Sequence, residues 1–301
     1  MASSWQMYNL ETILARLAWL IDVPEGLLVQ YDIGEHDIYI YKLDSQIFLT
    51  YSEMTITQQE IMSRIDLLDP LNLLSVYTQV MLLSLIWQTL PSAVYMAGCG
   101  GGRMPLVLQH MHPDITIDCT DTTPDIYPIA EKFFGLQFDD KMQLHIEDGR
   151  TFLERRTAES RYDIILLDVF GHVDYGPYHF ATQEFYQLCK QNLIVGGVVA
   201  LNLITREERY WEKLTTFYDA FEHVYFYHDD QVNVLLGHDG PALSKADILA
   251  RSTQLDTQYP FARFFTKHAT KLITGKQLEA FLPPISERRI LTDNQGDKVK
   301  G

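Results

Sequence analysis

Three carboxylates, Asp121, Asp148 and Asp168, each close a short apolar run, and a glycine-rich stretch, Gly98-Cys-Gly-Gly-Gly102, closes another. The runs are Val94–Ala97 before the glycines, Ile115–Cys119 before Asp121, the segment from Met142 before Asp148 and Gly149, and Tyr162–Leu167 before Asp168. Apolar runs of this kind suit parallel strands buried on both faces, and open α/β sheets bind ligands at the carboxyl ends of such strands. The glycines allow a tight turn and a close backbone approach to a ligand, and they lead into a helical stretch, Met104–His110. Asp121 stands roughly twenty residues past the glycines, the spacing at which an acid accepts hydrogen bonds from a ribose diol. Asp148 is placed to accept from an adenine amino group.

The glycine spacing separates two classes of ligand. A dinucleotide site sets a pyrophosphate over a helix N-terminus, usually through GxGxxG, whereas here Arg103 follows Gly102 directly and breaks that pattern. An adenosine held through its ribose and base, without phosphate, fits better. S-adenosylmethionine or its decarboxylated form is such a ligand, and its sulfonium is already an activated leaving group. Neither a metal nor a covalent intermediate is then required, and the protein must position an acceptor and take its proton.

The elements that position these residues follow from periodicity. Leu10–Ile21, interrupted by Glu11 and Arg16, reads as an amphipathic helix and not as a leader or membrane segment. Ile38–Tyr41 and Ile47–Thr50 around Asp44 and Ser45 read as a hairpin of a small N-terminal β unit. Leu71–Trp87 carries apolar residues at helical spacing, with Pro70 at its first turn. From Ser92 strands and helices alternate, the pattern of a doubly wound sheet, with Val198–Leu203 as a further strand. His223–Tyr227 and Val232–Gly237 read as an antiparallel pair around Asp229 and Asp230, residues 241–283 as helical, and Ser286–Gly301 as a polar, frayed end. The fold class expected is α/β, a Rossmann-like (class I methyltransferase-like) doubly wound sheet with a small N-terminal β domain. The division expected is 1–65 for that N-terminal unit and 66–301 for the nucleoside-binding catalytic domain.

Composition narrows the partners. A net charge of −16 argues against a nucleic-acid partner, which needs a basic face, and suits a cationic one. The three cysteines, Cys99, Cys119 and Cys189, form no CxxC or Cys/His set, and reduced thiols in a cytoplasmic enzyme are the plain reading. The ten histidines include no HxxxH or other ligand spacing, so no metal is expected. His172 and His179 read as loop residues near an acceptor pocket.

Several stretches together resemble the polyamine aminopropyltransferases, the family of spermidine synthase, in its bacterial type. They are Asp69-Pro-Leu with Tyr77–Met81, Gly98–Gly102, Glu147–Phe152, and Tyr162–Asp168 leading to Gly176-Pro177, Phe180–Tyr186 and Gly196-Gly197. The resemblance implies that Gly98, Gly100, Gly101 and Gly102 cradle the methionine-derived chain, with Asp121 on the ribose and Asp148 and Gly149 on the adenine. It implies that Asp168, with Tyr77, deprotonates or orients the attacking amine, that the acceptor is a diamine such as putrescine, and that the chain forms a homodimer.

Departures from the family pattern bear on donor and acceptor. The acid that such enzymes carry inside the glycine turn aligns with Gly101, and a second loop acid aligns with Gly171. Asp174, in a longer loop, is a candidate replacement, with His172 beside it as a substrate-binding residue. Arg103 could instead meet the carboxylate of intact S-adenosylmethionine. The readings are an aminopropyltransferase, a methyltransferase on the same fold, or a non-catalytic nucleoside-binding protein.

Overall fold

Side chains that alternate along the central strands are sorted into two cores. Val94 and Met96 join one and Tyr95 and Ala97 the other; Ile164 and Leu166 part in the same way from Ile165 and Leu167. This period of two on doubly buried strands is what a sheet covered on both faces requires. The computed structural model describes residues 3–33, 37–51, 61–156, 161–170, 176–206, 209–229 and 231–296.

Two sheets result. The N-terminal sheet is antiparallel and four-stranded: β1 (Gly26–Asp32), β2 (Asp37–Leu43), β3 (Gln46–Thr50) and β4 (Ile61–Asp66), paired in sequence order. The expected hairpin is its centre, β2 and β3. The eight-stranded central sheet comprises β5 (Ala93–Ala97), β6 (Thr116–Asp121), β7 (Met142–Ile146), β8 (Tyr162–Leu167), β9 (Leu193–Asn202), β10 (His223–His228), β11 (Asn233–His238) and β12 (Ile273–Thr274). Its order is β12-β10-β11-β9-β8-β5-β6-β7, with β7, β6, β5, β8 and β9 parallel and the rest antiparallel. The protein is therefore an α/β fold with a mainly parallel central sheet and a small antiparallel N-terminal sheet. The chain leaves β5 for β6 on one side and later returns to place β8 on the other, so a switch point opens between β5 and β8, where such sheets bind ligands.

Asp163 secures the opposite end of that crevice, its Oδ2 accepting from the Ser92 N–H at 2.9 Å and the Ala93 N–H at 2.8 Å. Helix α1 (Ser4–Leu17) starts at a capping box in which the Gln6 N–H donates to Ser3 Oγ at 3.2 Å. It runs earlier than the expected Leu10–Ile21 because that cap fixes its first turn.

The helix expected over Leu71–Trp87 is shorter. Helix α2 spans Val76–Met81 and tightens into a 3-10 turn over Leu82–Ile86. The backbone before it is held otherwise: the carbonyls of Pro70, Leu73 and Leu74 accept from the side chains of Arg103, Gln79 and Arg64. Those contacts replace helical N–H partners, so Pro70 opens an irregular segment. Residues 241–283 are likewise not helical throughout, because β12 interrupts them to pair with β10. The segment after Ser286 is docked as far as residue 296. Leu291 is buried, its N–H donating to Thr216 Oγ1 at 2.9 Å, and Arg150 grips the Asp293 carboxylate at 2.8 and 2.6 Å.

Candidate functional site

The glycine turn sits at the switch point. Gly98 adopts φ +83°, and a Cβ there would fall 2.1 Å from the Asp168 carbonyl oxygen, so the β5 and β8 ends approach as closely as only glycine allows. Asp121, closing β6, reaches back to the turn: its Oδ2 accepts from the Cys99 N–H at 3.1 Å and the Gly100 N–H at 3.2 Å, and its Oδ1 from the Thr123 N–H at 3.0 Å. Burial pushes its carboxyl above the ordinary value, against these N–H donors, which favour the charged form. Oδ2 is taken by two N–H groups, whereas Oδ1 accepts from one and keeps a second lone pair, so Asp121 can shape the turn and still accept from a ribose hydroxyl.

Gly101 meets a different surface. Its N–H donates to Ser63 Oγ at 2.9 Å, and a Cβ there would lie 2.7 Å from Ser63 Cβ and 2.8 Å from the Phe134 ring. The N-terminal sheet thus closes over the position where the family pattern carries an acid, and the position has no room for one.

Asp148 begins helix α3 (Gly149–Glu154) as its N-cap, accepting from the Thr151 N–H at 2.9 Å, and its other oxygen pairs with His179 Nε2 at 2.8 Å. Burial pushes its carboxyl up, but His179 and Thr151 outweigh this and hold it at about 2. Gly149 packs on the core: a Cβ would lie 2.5 Å from Tyr95 Oη and 2.8 Å from Thr120 Oγ1. The absent side chain is therefore already explained by packing.

Asp168 follows β8 and is buried. Burial raises its carboxyl to about 7, against the Asn202 hydrogen bond and the nearby Tyr77 hydroxyl, which favour the charged form. The Asn202 Nδ2 donates to Oδ1 at 2.9 Å from the end of the neighbouring strand β9. Tyr77, on α2, donates its hydroxyl to the Met62 carbonyl at 3.3 Å and lies beside the same carboxylate, and burial together with that charge raises the phenol well above its usual value. A carboxyl poised near neutrality, with two polar groups orienting it, is what a base for an ammonium acceptor needs.

Asp168 and Tyr77 line a narrow cleft with Ser63 and Arg64 of β4, Cys99 of the turn and Arg103. Sequence reasoning missed Ser63, Arg64 and Asn202. Asn202 had a signal, a polar residue at the end of the strand after Asp168, whereas β4 gave no local sign that it would meet the glycine turn. His179, expected near an acceptor, instead meets Asp148, and His172 and Asp174 lie outside the described residues. Among the described residues no group of three or more His, Cys, Asp or Glu side chains could hold a metal ion, and no helix is long and apolar enough to cross a membrane.

Comparison with known proteins bears on the family and the fold. Residues 129–236 match the spermine/spermidine synthase domain. A polyamine aminopropyltransferase from Vibrio vulnificus is 30% identical over 150 residues, covering 50% of this chain and 50% of that protein. The chain thus spans about half the length of that curated relative. Among solved structures, a probable spermidine synthase from Corynebacterium glutamicum superposes with a TM-score of 0.63 at 18% identity, covering 81% of this chain and 95% of the other. Human methyltransferase-like protein 13, solved with S-adenosylhomocysteine (SAH), gives a TM-score of 0.52 at 25% identity, covering 61% and 89%. Curated relatives of both kinds, aminopropyltransferases and methyltransferases, align with the chain. The resemblance read from the motifs is therefore one to the polyamine aminopropyltransferase family, on a fold shared with class I methyltransferases.

Proposed function

We propose that this protein, similar to the polyamine aminopropyltransferases in its domain and to both transferase groups in its fold, transfers a carbon group from an S-adenosyl donor to an amine nitrogen. The observation that carries the reading is Asp168: a buried carboxyl near neutrality, at the sheet's switch point, bonded by Asn202 and flanked by Tyr77. When bound, such a donor supplies an electrophilic carbon on a sulfonium. The amine lone pair forms the new C–N bond as the C–S bond breaks, sulfur keeps the electron pair as a neutral thioether, and the nitrogen's proton passes to Asp168. Tyr77 and Asn202 hold that carboxylate in place. Gly98, Gly100, Gly101 and Gly102 border the donor's methionine-derived end, Asp121 takes its ribose, and Asp148 with Gly149 its adenine.

In the form the aminopropyltransferase relatives suggest, the donor is decarboxylated S-adenosylmethionine, the acceptor a diamine such as putrescine, and the by-product methylthioadenosine. The chain then works as a cytoplasmic homodimer, with 66–301 as the catalytic unit and 1–65 as its N-terminal cover. A second form, transfer from intact S-adenosylmethionine, is favoured by the crowding at Gly101 and by the position of Arg103 in the cleft. Calorimetry tests what both share: methylthioadenosine or S-adenosylhomocysteine should bind, and Asp121→Ala or Asp148→Ala should weaken binding by about 1–3 kcal/mol. No binding of either nucleoside at millimolar concentration would refute the reading.

A further inference from the structure

The guanidinium of Arg103 is buried, with 5% of the residue exposed. One of its nitrogens, Nη2, donates to the Pro70 carbonyl; among the described residues Nε and Nη1 have no partner. Arg64 repeats the pattern from β4: its Nη2 donates to the Leu74 carbonyl, and its buried Nε is unpaired among the described residues. Both side chains line the cleft that holds Asp168 and Tyr77. Among the described residues no ion pair joins either arginine to a carboxylate, although Asp69 is near enough to favour the charge on Arg103. Buried donors without acceptors are costly, and a guanidinium is shaped to meet a carboxylate through two parallel N–H bonds.

We propose that this cleft receives a carboxylate group of the bound ligands, held by Arg103 and Arg64 beside the Asp168 base. The inference rests on the S-adenosyl transferase reading and narrows its substrates. Two observations point the same way. The turn has no room at Gly101 for the acid that would hold a cationic chain, and among the described residues the facing surface offers two guanidinium groups against the single carboxylate of Asp168. A plain diamine with a decarboxylated donor would leave both arginines unanswered. The carboxylate comes either from the amino-acid end of an intact donor or from an acceptor that carries both an amine and a carboxylate. In both cases Arg64 and Arg103 are specificity-determining residues, not catalytic ones.

Calorimetry on the full chain separates the sources. S-adenosylhomocysteine carries the amino-acid carboxylate and methylthioadenosine does not. If the donor supplies the group, S-adenosylhomocysteine binds about 10–100-fold more tightly, the gain expected of a charged hydrogen-bonded pair. Arg64→Gln should then abolish that preference while leaving methylthioadenosine affinity unchanged. If the acceptor supplies it, the two nucleosides bind alike, and protein saturated with methylthioadenosine binds γ-aminobutyrate in preference to putrescine, a preference also lost in Arg64→Gln. Arg103→Gln should act in the same direction; because Arg103 is buried, Arg64→Gln, at a half-buried position of β4, carries the decision. Equal nucleoside affinities together with no preference for γ-aminobutyrate over putrescine overturn the inference and leave the transferase reading standing, with water on the arginines. So does a preference that survives in Arg64→Gln. Failure of both nucleosides to bind removes the transferase reading and this inference with it.

Discussion

Replacing Asp168 by asparagine should change stability in a pH-dependent way as well as abolishing most turnover. Burial raises the Asp168 carboxyl from 3.8 to about 7. A folded-state value above the unfolded one means that the native chain prefers the protonated group. The associated stability is complete below pH 3.8, declines as pH rises towards about 7, and is fully lost above it. At about 1.4 kcal/mol per unit, the part of this loss falling between about pH 5 and pH 9 amounts to about 2–3 kcal/mol. Asp168→Asn keeps the shape and the acceptor for Asn202 but does not titrate. Urea unfolding of both proteins at the two pH values should therefore show the variant gaining about 2–3 kcal/mol on the wild type as pH rises, with equal denaturant slopes. Nucleoside affinity should stay within about tenfold, while turnover falls by roughly 10²–10⁴, the range for a lost general base, and wild-type activity should rise with pH through about 7. Parallel stability profiles at the two pH values would show that the carboxyl is not desolvated, and unchanged turnover would show that it is only a strand-end cap.

Three other substitutions probe the same site. Gly101→Asp should destabilise the fold by about 1–3 kcal/mol through overpacking against Ser63 and Phe134, and thermal unfolding should show it without any gain in affinity for a decarboxylated donor. Asp121→Asn should loosen the glycine turn, seen as faster hydrogen exchange at the Cys99 and Gly100 amides, because a neutral acceptor holds them less firmly. Asp148→Ala should cost about 1 kcal/mol as a lost helix cap. Asp148 is held at about 2, so its contribution is present above pH 3.8 and lost as pH falls through about 2; acid titration of the variant should lack that component of unfolding.

Much of this site was legible because strand, turn and strand-end acid are local features. A run such as Tyr162–Leu167 has only one economical place, between two cores, and the residue that follows it must then emerge at the carboxyl edge. Asp121, Asp148 and Asp168 could be set at that edge from periodicity alone, and the row of acids beside a glycine turn pointed to a nucleoside. Side-chain capture of backbone was not legible. The irregular stretch from Pro70 to Ser75 is apolar at helical spacing, yet Arg64, Gln79 and Arg103 take its carbonyls, and no local pattern reports those partners.

The amino-acid sequence by itself determined the α/β order, the glycine turn and the acids at the strand ends, since each depends on the burial period of a few neighbouring residues. Only the tertiary structure decided what those acids meet: Asp148 with His179, Asp168 with Asn202 and Tyr77, and Asp121 with the turn it follows. It also decided that β4 brings Ser63 against Gly101 and Arg64 into the cleft with Arg103, so that the place of a familiar acid is filled and two guanidinium groups, each with N–H donors unpaired among the described residues, line the space beside the base. Hydrophobic period acts over one or two turns of chain, whereas hydrogen-bond and charge partners are chosen by packing between elements tens of residues apart.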